Sequence, residues 1–325
     1  MSLILRFDFR LAPFSPTSMT DLYRTSLDMA QWAEERGAMS LMFSQHHGSD
    51  DGYLPSPLVL AAAVAARTST LPINIGALLP LMYDPVKLAE DMVVLDHLSG
   101  GRVSYTIGLG YRDEEYAMFG VDRGRRGQLV DEWIDVLRRS WAGERFEWRG
   151  RTIRVTPLPF TPGGPALAYG GGTVAAARRA GRHGLLFIPQ HDDPSLAQAY
   201  DDAARASGHP PGATLSPPAG SPNSLFVAED PEAAWPTIGP YLLHDAIAYR
   251  GWLGDASGAS SASAATTIEE LATEQGSYRI VSPADAIGLL RRFGVLALQP
   301  LAGGLPPELA WESLRCIERD VLPNR

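Results

Sequence analysis

The sequence predicts an α/β fold in which a parallel sheet closes into a TIM-like (β/α)8 barrel with insertions. Three observations predict it. Strand, loop and helix patterns recur in strict alternation, as crossover connections between parallel strands require. Glycine-rich loops fall at the carboxyl ends of predicted strands, the end where parallel α/β proteins bind ligands. At 325 residues the chain suits one barrel over 1–325, and no shift in composition marks a second domain.

Leu3 to Phe9 reads as a short strand, followed by a proline-rich loop from Ala12 to Thr17. Thr20 or Asp21 is placed to cap a helix that carries Leu22, Leu27, Ala30 and Ala33 and ends before Gly37. Met39 to Phe43 is a second strand, the polar loop SQHHGSDDGYLPSP follows, and an alanine-rich helix runs from Leu58 to Arg67. Ile73 to Leu79 is a third strand and Pro85 to Leu98 a third helix, with Leu95 and Leu98 on one face. Gly100 and Gly101 stop that helix. Arg102 to Ile107 alternates as a strand, and an acidic segment opens the next helix.

A helix from Gly127 to Trp141 precedes a break in the rhythm, where residues 145–156 read as a β-hairpin turning at Arg149-Gly150. Alternation then resumes. The strands are Ala166 to Tyr169, Leu185 to Pro189 and Ser224 to Ala228; the helices are Thr173 to Arg182, Pro194 to Ser207 and Pro231 to Trp252. Residues 254–267 show no periodicity and are expected to be mobile. A helix from Pro283 to Phe293, a strand from Val295 to Gln299 and a helix from Pro307 to Asp320 close the chain. That makes eight strands for the barrel.

Composition removes several classes of function. The net charge of −9 and pI near 5.3 advertise no basic face for nucleic acid. The longest apolar run, Pro57 to Ala66, is too short to span a bilayer. MSLILRFDFR meets charge too early for a signal peptide. Cys316 is the single cysteine, which rules out an intrachain disulfide and a thiolate metal cluster. A packing role is expected for it, and a reducing cytoplasm is the simplest home.

Three stretches could carry chemistry. His46 and His47 follow the second strand; adjacent histidines diverge, so one at most is expected to handle protons, His46 being the candidate. His46, His47, Asp50 and Asp51 match no metal-ligand spacing, and no metal is expected. Gly108 and Gly110 remove side chains at the end of the fourth strand, so a planar cofactor or a tight turn would suit them equally. Gly170, Gly171, Gly172 and Thr173 join a strand to a helix start, an arrangement fit for a phosphate. Glu114 and Glu115 read as a solvated first turn of helix. Arg123, Arg125 and Arg126 form a basic knot within reach of a phosphate or of solvent.

Taken in order, SQHH, INIGALLPLMYDPVKLAED, LDHLSGGRVSYTIGLGYRDEEYAMFGV, YGGGT, FVAEDPEAAW and LQPLAGGLPPELAWESLRCIERDVLP resemble the luciferase-like flavin-dependent monooxygenase superfamily, across nearly the whole chain. That superfamily includes bacterial luciferase and deazaflavin-using relatives. The resemblance implies an oxidoreductase in which reduced FMN meets O2 to form a flavin hydroperoxide that oxygenates a small organic molecule. His46 matches a histidine tied to proton handling there. Ala77 and Leu78 match a site of a non-proline cis peptide or bulge beneath the flavin. Gly108, Gly110 and Tyr111 match the loop lining the ring and ribityl chain, and Gly171, Gly172 and Thr173 the phosphate turn.

Four positions depart from the pattern. Gln45 replaces a glutamate before the histidines, Asp84 a histidine, Leu129 an arginine that helps hold the phosphate, and Leu109 another frequent arginine. Arg125 or Arg126 would compensate. Two other readings stand beside the first: hydride transfer with the deazaflavin coenzyme factor 420, and a non-catalytic flavin-binding paralogue. With no Rossmann fingerprint in the chain, a separate flavin reductase is the expected partner. A homodimer through the second and third helices is also implied. Replacing His46 by Ala should cut turnover while leaving flavin binding largely intact; turnover equal to the parent in a steady-state assay contradicts the role.

Overall fold

The computed structural model describes residues 2–253 and 262–324, and the start of the aperiodic stretch, 254–261, lies outside the described residues. Chain order begins β1 (Ser2–Phe7), α1 (Met19–Glu35), β2 (Ser40–Phe43), α2 (Pro57–Arg67), β3 (Ile73–Leu78), α3 (Pro85–Ser99) and β4 (Val103–Ile107). It continues with α4 (Asp113–Met118), α5 (Arg126–Trp141), β5 (Phe146–Trp148), β6 (Arg151–Ile153), β7 (Ala166–Gly171), α6 (Val174–Arg182), β8 (Leu186–Pro189) and α7 (Pro194–Ala206). The last elements are β9 (Ser224–Val227), α8 (Pro231–Leu253), α9 (Ile268–Glu274), β10 (Tyr278–Val281), α10 (Pro283–Phe293), β11 (Val295–Leu298) and α11 (Pro307–Cys316).

Nine strands form one parallel sheet in the order β10-β9-β11-β1-β2-β3-β4-β7-β8. This corrects the expected eight. Tyr278–Val281 pairs in parallel with β9 and stands at the end of the sheet; its four residues are too few to show a strand's alternation. Among the described residues no ladder joins β8 to β10. The outer edge of β8 is instead covered by an irregular segment, where Phe187 donates to Ala213 O (2.8 Å) and Leu215 donates to Phe187 O (2.9 Å). The hairpin β5-β6 is antiparallel, and Arg149 and Gly150 both take positive φ (48° and 71°) at its turn, as the tightest hairpin connections require.

Alternate residues of a strand point to the same face, and on these strands that face is apolar. Leu3, Leu5, Phe7, Leu41, Phe43, Ile73, Ile75, Val103, Tyr105, Ile107 and Phe187 are all buried in one continuous core. Helix starts follow capping chemistry, with small corrections: Ser18 rather than Thr20 or Asp21 caps α1, while Thr173 caps α6 as expected. Leu98 is half exposed beside its buried neighbour Leu95. Near the C-terminus the last helix gives way to a π-turn at Ile317–Val321, and Cys316 is buried.

Arg102, just ahead of β4, ties the end of α2 to the sheet. It donates to the carbonyls of Ala65, Thr68, Leu71 and Ser99 (2.8–2.9 Å) and to Thr68 Oγ1 (3.0 Å). These carbonyls gain a cation near a helix C-terminus, where it is favoured. Replacing Arg102 by Ala should lower unfolding stability by about 2–4 kcal/mol, since several carbonyls lose a charged donor at once. Urea denaturation of both proteins checks this, and a loss under about 0.5 kcal/mol contradicts it.

Candidate active site

Three adjacent strands, β3, β4 and β7, reach their carboxyl ends with almost no side chains. Gly76 pairs in register with Thr106, Thr106 with Ala168, and Ile107 with Leu78 and Tyr169. Beyond that row stand Ala77, Gly108 and the run Gly170-Gly171-Gly172. The Gly76–Ala77 peptide is cis, and the β3–β4 register shifts between Gly76 and Leu78, so a cis bond and a bulge both fall at the expected place. Gly108 donates to Leu78 O (2.9 Å), and a Cβ on Gly108 would meet the Ala77 methyl at 2.9 Å. A Cβ on Gly170 would meet Thr106 Cγ2 at 3.2 Å, and one on Gly171 the Ala176 methyl at 2.7 Å. The result is a shelf of bare backbone across three strands.

At one end of the shelf, β7 runs through the glycines into α6. Thr173 Oγ1 accepts from Ala176 N (3.2 Å), leaving its O–H free to donate outward. The free N–H groups of the first turn and the helix dipole make this end favourable to an anion. Gln190 and His191, which sequence reading passed over, border Gly172: a Cβ there would meet Gln190 Oε1 at 2.8 Å. The arginine knot is engaged nearby. Arg123 pairs with Asp113 and reaches Tyr111 O, Arg126 donates to Arg123 O, and Arg125 leans on Gln128. Arg179 of α6 fills the space that Gly127 leaves open and pairs with Asp131 (2.9 Å).

At the other end lies His46. Its Nδ1 is 2.9 Å from Glu115 Oε1 and its Nε2 is 2.9 Å from Tyr111 OH. An ionised carboxylate can only accept, so Nδ1 carries the proton and Nε2 accepts from the tyrosine. Glu115 also accepts from His47 N (2.8 Å) and is buried, whereas Glu114 is exposed. The expected solvated pair is therefore corrected: α4 turns Glu115 inward, one residue past Glu114. Burial holds His46 below the ordinary histidine range, with the Glu115 hydrogen bond and charge opposing it. Glu115 itself is lowered despite burial, by the hydrogen bonds it accepts from His46 and His47 N and by the charge of Arg112.

Gln45 does not touch His46. Its Oε1 accepts from Leu79 N (2.9 Å) and its amide reaches Tyr83 OH (2.8 Å) and His47 Nε2 (2.7 Å). The carboxylate missing at position 45 is supplied from α4 by Glu115. His47 packs against Phe119, with ring centres 4.7 Å apart, and so points away from its neighbour. The other departure, Asp84, caps α3 through Val86 N and Lys87 N. His46, His47, Asp50 and Asp51 do not converge: Asp51 pairs with Arg10 and His244, and Asp50 is exposed. Among the described residues no three such groups are placed to hold a metal.

Beneath His46 the barrel mouth is polar and buried. Arg10, fully enclosed, meets Asp51 and Asp245 (Nε to Oδ1 3.0 Å). Tyr278 OH donates to Asp245 Oδ2 (2.9 Å), and Gln299 donates to Asp8 Oδ2 (2.7 Å). Burial and the Asp245 charge push Asp8 up to about 7.

A family model described as luciferase-like monooxygenase matches residues 7–291. The chain belongs to the luciferase-like monooxygenase family. Among solved structures, a monooxygenase from Streptomyces bottropensis is similar at a TM-score of 0.76 and 24% identity, over 99% of each chain. The oxygenating constituent of a 3,6-diketocamphane monooxygenase from Pseudomonas putida, in complex with FMN, is similar at 0.73 and 18%, over 99% of this chain and 98% of that one. A secondary alcohol dehydrogenase dependent on factor 420, with an adduct of that coenzyme and acetone, is similar at 0.65 and 16%, over 95% and 98%. At these identities the likeness is one of fold. This luciferase-like chain spans about half the length of the first curated relatives it matches, and no helix among its described residues is long and apolar enough to cross a membrane.

Replacing Glu115 by Gln keeps the acceptor oxygen and removes the charge. Turnover should fall by about 100-fold, the lower end of the roughly 10²–10⁴-fold that general acid–base assistance supplies, with flavin affinity little changed. The His46 midpoint, followed by NMR, should move further down because burial then acts unopposed. Wild-type turnover with an unmoved midpoint contradicts the assignment.

Proposed function

We propose that this protein is a flavin-dependent monooxygenase that uses reduced FMN and O2 on a small organic substrate. The observation that carries the reading is the bare three-strand shelf, with a proton-handling histidine at one end and an anion-suited helix start at the other. A flat ring needs backbone without side chains beneath it. Gly76-Ala77, Gly108 and Gly170 supply that, and Gly171, Gly172 and Thr173 suit the phosphate tail. When bound, reduced FMN supplies two electrons to O2, one oxygen atom passing to the substrate and the other leaving as water.

The protein's own part is binding, orientation and proton control. Leu78, Gly110 and Tyr111 would line the ring, and Gly110, at φ 74°, turns the chain so that Tyr111 reaches His46. His46, kept neutral by burial, holds a proton at Nδ1 against Glu115 and takes or returns one at Nε2 through Tyr111. Buried aromatic walls around it exclude water. A separate reductase delivers the reduced flavin, the chain works as a homodimer in a reducing cytoplasm, and residues 1–325 act as one domain.

Leu109 and Leu129, where relatives carry arginines, favour one second reading, hydride transfer with reduced factor 420 and no oxygen. The experiment titrates reduced FMN and reduced factor 420 anaerobically, then follows O2 uptake on mixing with air and candidate substrates. FMN binding with substrate-dependent O2 uptake is expected. Preference for the deazaflavin with O2-independent turnover contradicts it, and so does flavin binding without turnover, the behaviour of a non-catalytic paralogue.

A further inference from the structure

The walls around His46 are aromatic and cationic rather than aliphatic. Tyr53, Tyr111 and Trp252 stand with ring centres 4.9, 5.1 and 4.8 Å from the imidazole, and Tyr249 lies 5.9 Å from Trp252. Two guanidinium groups lie over the one indole: Arg10 Cζ is 3.9 Å and Arg112 Cζ 4.3 Å from the Trp252 ring centre. Arg10 also lies 4.7 Å from the Tyr249 ring and 5.0 Å from the Tyr53 ring.

Neither cation is used up. Arg10 Nη2 and Arg112 Nε are buried without a hydrogen-bond partner, on side chains 0% and 9% exposed. Buried N–H groups of this kind are costly unless something accepts from them. Their charges, however, are already balanced, by Asp51 and Asp245 at Arg10 and by Glu115 at Arg112. What is missing is an acceptor, not an anion.

The members of this box differ in how they are held. Arg10, Tyr53 and Arg112 stand in the loops that follow β1, β2 and β4, and all three are buried. Trp252 is only half-buried and sits in the last turn of α8. Its indole is a flat, electron-rich ring over two cations, with tyrosine edges around it. Such a place discriminates by quadrupole: a planar aromatic ring is attracted to guanidinium faces and ring edges, while a saturated chain of equal size is not.

Resting on the flavin reading above, we propose that the substrate is a neutral planar aromatic compound carrying a phenol- or ketone-type oxygen. It takes the place of the Trp252 indole over Arg10 and Arg112, and its oxygen, at the ring edge, supplies an acceptor for Arg10 Nη2 or Arg112 Nε. Trp252 is a specificity-determining residue that yields this place.

The test is calorimetric binding of 1-naphthol and 1-decanol, matched in carbon number and in the single hydroxyl, to wild type and to Trp252→Ala. Each protein is titrated with and without FMN. Wild type should prefer 1-naphthol by about tenfold or more. Trp252→Ala should bind 1-naphthol about tenfold tighter still, with 1-decanol little changed. Equal or better binding of 1-decanol by wild type overturns the proposal, as does weaker 1-naphthol binding in Trp252→Ala, which would make the indole a fixed wall. If Trp252→Ala does not fold, Trp252→Leu carries the same comparison. Quenching of FMN fluorescence in the same samples reads the flavin site separately, so loss of flavin binding with naphthol preference retained counts against that reading alone.

Discussion

A flat redox cofactor can approach a protein backbone only where side chains are absent across its whole width. The rest of this structure depends on that constraint. Parallel strands present their carboxyl ends side by side, so small residues on three neighbours must fall close together. On β3, β4 and β7 they do: Gly76 lies level with Thr106 and Ala168, and Ala77, Gly108 and Gly170 follow within the next two residues of each strand. Thr106 shows how closely the band is built, its side chain lying under both Gly76 and Gly170. A larger residue at any of these glycines would push into a neighbour before it met a ligand.

The same mouth stores buried charge, which a stability-driven core would avoid. Arg10, Asp8, Asp51 and Asp245 lie together under the aromatic box. Asp8 is raised from its ordinary value to about 7 by burial and by Asp245. A carboxyl raised in the folded state stabilises fully below its unfolded value and loses that contribution as pH climbs through about 7. His46 works in the opposite direction: lowered in the folded state, it costs stability as pH falls below the ordinary histidine value. Between the ordinary carboxylate and histidine values the two effects therefore oppose each other, and above about 7 the Asp8 contribution is gone. Buried polar groups that cost stability are found where a site needs them.

Much of the fold was legible in the sequence, because strand alternation and glycine punctuation are local signals. The hairpin turn at Arg149-Gly150 and the Thr173 cap lay where local chemistry put them, and the cis peptide at Ala77 where the family resemblance implied it. What escaped was set by distance in the chain. Glu115 reads as a solvated helix start until the fold brings it 69 positions across to His46. Arg10 and Trp252 come from opposite ends of the barrel sequence, and no spacing rule pairs them. β10 was missed because four residues without a flanking pattern carry too little periodicity to mark a strand. Gln45 looked like a lost charge, although α4 places the Glu115 carboxylate beside His46.

The central claim is that a flavin lies flat on this three-strand shelf. A crystal structure of the protein with FMN tests it most directly. The isoalloxazine is expected over Ala77 and Gly108, with the His46–Tyr111 pair at its side and the phosphate against Gly172 and Thr173. Flavin found elsewhere, for instance in the 380 Å³ cavity between the hairpin and α5 lined by Trp133 and Trp148, would contradict it.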